Sequence, residues 1–528
     1  MAKKIVKPIP ARDYSARKSS NAQLWQNSQY LSKNLDMNIS YFKNSFNQDT
    51  DIVYRYFTLY DKKVRAAIIL VDSLVNKESI QKNLLRPLMN GDYPNGGIKD
   101  LFAVIKNNLL AMEDIREENQ LDQLKDSILN GNVVLLIDGY DTAIIVSAQR
   151  WDMRVVEEPI SEAAVRGSRE GFNENLKTNI ALIRRRLRTP QLKIENLKVG
   201  TLSKTNIAIA YIQGVASEDM VNEVKSRIKR IQIDGVLESK YIEELIEDAP
   251  TSPFPTVEYT ERPDKVAASL LEGRIAIITD NTPFVLIVPA VLFQFLQSTE
   301  DYYQHYIVIT PLRWIRIFAL FISLFLPSIY IAATTFHPEM IPPPLAIAIA
   351  AQREGVPFPA LIEALLMEIS FEFLREAGIR LPKVIGQAVS IVGALIIGDA
   401  AVSASIVSPA MVIVVAFTGI ASFIAPSFAF GFTIRLLRFP IMLIAGIFGF
   451  YGIMLSAIAL MLHLASLRSF GVPYLSPIAP TNVSDLKDTL VRAPWWDMKS
   501  RPTHISEKNV KRQADHMKPQ PDHGDDHQ

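Results

Sequence analysis

No cysteine occurs among the 528 residues, which excludes disulfide frameworks, thiolate metal sites and cysteine nucleophiles together. Charge of one sign is equally lacking. Lys and Arg total 56 against 55 Asp and Glu, a formal net charge of +1, so no global field exists to hold a nucleic-acid backbone, and no nucleic-acid partner is expected. Catalytic signatures are missing too: there is no GxGxxG, GxxxxGK[ST], GxSxG, HExxH or EF-hand loop. Histidine is scarce, and four of the 7, His504, His516, His523 and His527, lie near the end of the chain without ordered carboxylates. They read as solvated side chains rather than a metal site. The expectation is a protein that is not an enzyme and holds neither cofactor nor metal.

Long apolar runs are confined to the last third. A spanning helix needs about 20 apolar residues, and a charge near the bilayer centre costs about 2.5–3.5 kcal/mol. Ile317 to Pro338 carries no acid, Lys or Arg; Val384 to Ile434 carries Asp399 alone; Phe439 to Leu467 carries none. The middle run is long enough for two helices, which predicts about four spans near 315–336, 384–402, 406–424 and 439–466. The stretch Phe284 to Leu296 is too short and contains Pro289, so it reads as strand and turn. Residues 1–50 lack an apolar h-region, which places the N-terminal part in the cytoplasm. Arg313 and Arg316 before the first span, and Arg468, Arg492 and Lys499 after the last, agree with both ends inside. Arg435 and Arg438 conflict with that topology, because four spans put them outside.

Ahead of the membrane, residues 1–45 are polar and basic and predict a disordered tail. From about 46 to 310, β-rich runs (Val64–Val71, Val133–Ile137, Ala143–Val146, Ile207–Ile212, Arg274–Ile278) alternate with helical patterns (Lys77–Met89, Gln120–Leu129, Phe172–Arg188, Ser217–Ile231, Lys265–Leu271). The fold class predicted is therefore a soluble α/β region of two subdomains, 46–150 and 151–310, followed by an α-helical transmembrane domain over 311–468. Asn130-Gly131 and Asp138-Gly139 mark turns at either end of one strand. Residues 469–528, rich in Pro, Lys and Asp, predict a second disordered tail.

Three stretches carry candidate sites. Arg184-Arg185-Arg186-Leu187-Arg188 is the most basic patch, but consecutive helical residues fan around the axis, so a solvated or subunit-contacting face is favoured over an anion or headgroup site. At 358–377 an amphipathic helix places Glu368, Glu372 and Glu376 on one stripe. It is too charged to span alone and reads either as an interfacial prop whose Glu372 and Arg375 pair, or as a carboxylate collar that gathers cations. In the next apolar run Gly386, Ser390, Gly393, Ile397 and Ala400 share one face, which suits close helix packing or the lining of a pore with Ile397 at its constriction. Asp399 is a functional-site candidate or a residue at the end of its helix.

Glu157-Glu158-Pro159, Val165-Arg166-Gly167, Glu170-Gly171-Phe172-Asn173-Glu174, Thr178 to Arg186, Tyr241 to Asp248, Ser252-Pro253-Phe254-Pro255, Thr260 to Val266, Pro283-Phe284-Val285, Asp301-Tyr302-Tyr303, Glu363 to Glu368 and Leu374 to Pro382 together resemble the A-subunit family of bacterial spore germination receptors. The resemblance covers about 50 to 475 and departs at Ser168, where the family usually has proline. It implies a nutrient-sensing receptor in the inner spore membrane, built with a transporter-like B subunit and a lipoprotein C subunit, whose A subunits form a homo-oligomeric ring around an ion path. The alternative is a secondary transporter acting alone, which needs a midplane site from broken helices in related repeats. No repeat is visible among the four spans.

Overall fold

The computed structural model describes residues 29–47, 49–59, 64–90, 102–105, 115–149, 158–159, 161–162, 164–381, 398–506, 509–515 and 517–519. They divide into two compact units. The first comprises Met1–Ala163, Arg169–Ile242 and Tyr259–Leu286; the second comprises Ala164–Ser168, Glu243–Glu258 and Ile287–Gln528.

The first unit holds two five-stranded sheets. One contains β1 (Ile52–Leu59), β2 (Val64–Val71), β3 (Ile115–Glu118), β4 (Asn132–Ile137) and β5 (Ala143–Ser147) in the order β1-β2-β4-β5-β3. The other contains β6 (Leu192–Val199), β7 (Thr205–Ile212), β8 (Glu258–Thr260), β9 (Ile275–Thr279) and β10 (Val285–Val288) in the order β6-β7-β9-β10-β8. The two orders are the same. A helix precedes each first strand, α1 (Leu35–Ser45) and α3 (Leu176–Arg186), and another precedes each fourth strand, α2 (Leu121–Leu129) and α6 (Pro263–Leu271). Between the second and third strands lie a helical run from Lys77 to Asn90 in one copy, and α4 (Glu218–Arg230) and α5 (Ser239–Ile246) in the other.

Hydrogen bonds repeat with the topology. Asn38 Nδ2 donates to the Ser32 carbonyl and its Oδ1 accepts from Ser32 N–H, at 2.6 and 2.9 Å. Asn179 makes the same pair with Asn173, at 2.6 and 2.9 Å. The first N–H of α1, Leu35, donates to Asp138, and that of α3, Leu176, donates to Asp280. The N–H groups of those two aspartates donate to the carbonyls of Arg65 and Asn206. The α/β region is thus one α-β-β-α-β-α-β-β unit built twice.

The duplication corrects two expectations. Residues 35–45 are not a disordered tail: Asn34 caps α1, and Leu35, Ile39 and Phe42 are buried in the first core. Each such burial contributes roughly 1.5–3 kcal/mol, which outweighs the polar composition around them. Helix α3 begins at Leu176 rather than Phe172, because the Asn175 side chain accepts from Thr178 N–H and sets the start there. The predicted strands and turns match: Gly131 (φ 85°) leads from α2 into β4 and Gly139 (φ 91°) turns β4 into β5, both in the left-handed region that favours glycine.

Arg184 ties the two copies together. Its guanidinium donates to Asp49 at 2.7 Å and Asp51 at 2.6 Å, and all three side chains are buried. Burial alone would lower its pKa, but the two carboxylates outweigh it and hold the group above its ordinary value. Arg184 is therefore not on a solvated face. Arg185 and Arg186 reach Glu170, and Arg188 reaches Asn130.

The second unit is helical: α7 (Tyr306–Thr335), α8 (Pro343–Arg353), α9 (Ala360–Arg380), α10 (Pro409–Ser422) and α11 (Phe428–Ser466). Among the described residues, α7 and α11 are long and apolar enough to cross a membrane, and α10 is a shorter apolar helix. The predicted span near 384–402 lies largely outside the described residues. Phe284 to Leu296 forms β10 and a 3-10 turn, as expected. The C-terminal stretch is not a featureless tail. Residues 468–473 form a short hairpin, Tyr474 is fully buried, and Arg313 donates to Asp488 at 3.1 Å, holding that stretch at the start of α7.

Helix α11 turns back on itself. Gly449 has φ 60° and ψ −142°, a backbone that side chains other than glycine's do not tolerate. A Cβ on Gly452 would lie 2.7 Å from the carbonyl oxygen of Ile444, eight residues away and about 12 Å distant in a straight helix. Thr433 and His463, near the two ends, reach the neighbouring residues Pro253 and Ser252. The run 439–466 is consequently not one straight span.

Candidate functional site

Helix α9 is the axis of a charged seam inside the helical unit. It runs antiparallel to α7 and parallel to α10. Ala360 and Ala364 pack with Ile331, Glu363 accepts from Ser408 N–H at 2.8 Å at the start of α10, and Arg375 donates to Ser422 at 3.0 Å at its end. The first half of α11 runs opposite to α9, since Arg435 and Arg438 meet Glu372 and Glu368 while Gly446 packs on Leu361.

The acidic stripe separates into three environments. Glu368 is 3% exposed and pairs with Arg438, whose guanidinium also donates to the carbonyl and hydroxyl of Ser323 on α7 at 2.7 and 3.0 Å. Glu372 is half-exposed and stands between Arg375 at 3.4 Å and Arg435 at 3.6 Å. Glu376 is exposed and pairs with Arg380 one turn on. These carboxylates do not form a common collar within one chain. A fourth, Glu363, is fully buried beside Arg353 at 3.3 Å; the Glu363 to Glu368 motif contained it, but its place off the stripe hid its partner.

The pore-face candidates Gly386, Ser390, Gly393 and Ile397 lie outside the described residues. Asp399 and Ala400 are both exposed, on a short helix over 398–403. No group of three or more His, Asp or Glu side chains suited to a metal ion occurs among the described residues.

A duplicated α/β region is joined to a helical unit that has two helices long and apolar enough to cross a membrane and a seam of charges inside it, with no catalytic constellation among the described residues. The family model of the Bacillus/Clostridium GerA spore germination protein matches residues 40–504, and the chain belongs to that family. It is 47% identical to spore germination protein KA of Bacillus subtilis (strain 168), over 93% of this chain and 90% of that one. It is 48% identical to the uncharacterized membrane protein YfkQ of the same organism, over 92% and 94%. It is 38% identical to spore germination protein GerLA of Bacillus cereus, over 88% and 94%. Among solved structures, the N-terminal domain of the A subunit of the Bacillus megaterium spore germinant receptor GerK3 matches with 35% identity and a TM-score of 0.40, covering 50% of this chain and 97% of that one.

Proposed function

We propose that this chain is the A-type subunit of a spore germinant receptor, acting in the inner spore membrane with a transporter-like B subunit and a lipoprotein C subunit, and that copies of it surround a cation path opened by nutrient. Family membership over residues 40–504 carries the receptor role. The oligomeric path is supported by the small-residue face of Gly386, Ser390, Gly393, Ile397 and Ala400, with Ile397 as its constriction. The lone-transporter alternative draws less support, because the duplicated part of the chain is the soluble region and not the helical one. Spores lacking this chain should lose nutrient-triggered cation release, and Ile397→Ser spores should leak cations without nutrient. Undiminished release from the deletion strain overturns the receptor role; normal dormancy and normal release in Ile397→Ser overturn the constriction.

We further propose six membrane passes in place of four. The helix directions among the described residues support this: α7 outward, α9 inward, α10 inward like α9, and the two halves of α11 outward and inward; because α9 and α10 run the same way, a sixth pass is proposed between them. Both chain ends then stay inside, and Arg435 and Arg438 fall on the cytoplasmic side with Arg468. Because native cysteine is absent, single-cysteine labelling is clean. A cysteine at Ala404 should react with impermeant reagent in intact cells and one at Ile424 should be protected. The four-span order requires the reverse, so reversed labelling sinks the six-pass reading.

A further inference from the structure

The charged seam contains more cation than it can pair. Glu368 and Glu372 face Arg375, Arg435 and Arg438, two carboxylates against three guanidinium groups. Arg438 donates to Glu368 and to the carbonyl and hydroxyl of Ser323, while Glu368 Oε1 is buried without a hydrogen-bond partner among the described residues. Arg375 donates to Glu372 at a long 3.4 Å and to Ser422, but its buried Nε has no hydrogen-bond partner among the described residues. Arg435 is more isolated. It is 8% exposed, its one ionic partner is Glu372 at 3.6 Å, beyond hydrogen-bonding distance, and its buried Nε also lacks a partner among the described residues. The stretch 382–397 contains no Asp or Glu that could complete the pairing.

Buried guanidinium donors left unmet are costly, and a group in that state calls for an acceptor. The position narrows the choice. Ser422 is the last residue of α10, and Arg435 lies two turns into α11, so the cluster sits where helices end, not at mid-depth. The guanidinium groups of Arg375 and Arg435 lie 4.7 and 5.8 Å from the ring centroids of Phe423 and Phe428, cation–π contacts that do not use up their N–H donors. A planar guanidinium presents paired N–H groups that fit a phosphate two at a time.

We infer that Arg375 and Arg435 form a phosphate-binding site whose natural occupant is the headgroup phosphate of an anionic phospholipid, with Glu372 as the internal competitor that sets its strength. The inference rests on the helical unit being embedded in a bilayer. Flotation of the full-length protein with vesicles checks that point separately, since a chain that does not float refutes the embedding before any lipid is compared.

The test uses full-length protein extracted from vesicles of phosphatidylcholine with and without phosphatidylglycerol, and counts the lipid it retains by native mass spectrometry. Wild type should retain phosphatidylglycerol over phosphatidylcholine. Arg435→Gln should lower that retention about fivefold, the contribution of one arginine near an anionic lipid surface. Glu372→Gln should raise it, because both arginines lose their shared competitor. That second variant keeps the test sound if Arg435→Gln folds poorly, since misfolding does not increase selective retention. In phosphatidylcholine alone, a rise in melting temperature on adding inorganic phosphate, absent in Arg435→Gln, supports the site with a soluble phosphate as its source. Equal retention by all three proteins together with no response to phosphate overturns the site.

Discussion

Replacing Glu368 by Gln separates the two roles open to this carboxylate. In the folded chain Glu368 and Arg438 are each 3% exposed, and the pair joins α9, α11 and, through Ser323, α7. Neutralising the acid leaves Arg438 buried without a counter-charge. Breaking a buried pair from one side costs about 3–5 kcal/mol. A loss of about 3 kcal/mol is roughly a hundredfold in the ratio of folded to unfolded chain. Losses of that size lower the amount of protein in cells several-fold.

Glu368→Gln should therefore reduce the amount of this chain in spore membranes, read by quantitative immunoblot, and lower its melting temperature in detergent. Adding Arg438→Met removes the stranded charge, and a buried pair replaced by apolar groups is often neutral. The double variant should regain most of the lost protein. If the carboxylate serves passing ions, the pattern differs: Glu368→Gln keeps full abundance while nutrient-triggered cation release falls. That outcome, or a double variant no more abundant than the single one, refutes the tie.

Three further substitutions probe the remaining structure. Arg184→Met strands Asp49 and Asp51 and should lower the melting transition of the soluble region by about 10 °C, from about 3–5 kcal/mol and roughly 2–4 °C per kcal/mol; Asp49→Asn with Asp51→Asn in the same chain should restore much of it, and additive losses would refute the coupling. Gly449→Ala places a Cβ at φ 60°, within 3.0 Å of the His337 ring, so protease should cut the middle of α11 faster in membranes; an unchanged digestion pattern argues against the reversal. Asp72 is pushed up by burial, but its bonds to Lys177 and Lys77 prevail and hold it below the usual carboxylate range, so the stability it contributes is present above its unfolded value of about 3.9 and is lost as pH falls through the lower folded value. The melting-temperature difference between wild type and Lys177→Met should shrink below about pH 4, and a constant difference down to pH 3 refutes that linkage.

The α/β fold was largely legible because its strands are apolar runs bounded by turn residues, and these need only local chemistry. The duplication was legible too, though faintly. Asn34-Leu35-Asp36-Met37-Asn38-Ile39 and Asn175-Leu176-Lys177-Thr178-Asn179-Ile180 share Asn-Leu and Asn-Ile at the same spacing, and those asparagines cap and brace the equivalent helices. Only four of those six positions carry the match, too few to stand out in a search by composition. The pairing of Arg184 with Asp49 and Asp51 was not legible, since it joins residues more than 130 positions apart and three adjacent arginines look alike until one is buried. In the helical unit, hydropathy located apolar runs but not their directions. It also passed over α9, where Glu363, Glu368 and Glu372 meet arginines on other helices.

The reversal at Gly449 explains why charge and hydropathy disagreed there. A straight helix from 439 to 466 puts Arg435 and Arg438 at the end opposite Arg468, against the positive-inside tendency. Gly446, Gly449 and Gly452 recur every third residue, and each does separate work: Gly446 admits Leu361, Gly449 takes the left-handed turn, and Gly452 passes the carbonyl of Ile444. Once the chain turns, Thr433 and His463 lie at one end of a hairpin, and the arginines share that end with the exit of the chain. The run stays apolar through the turn, so hydropathy has no boundary to detect; the spacing of the glycines is the signal.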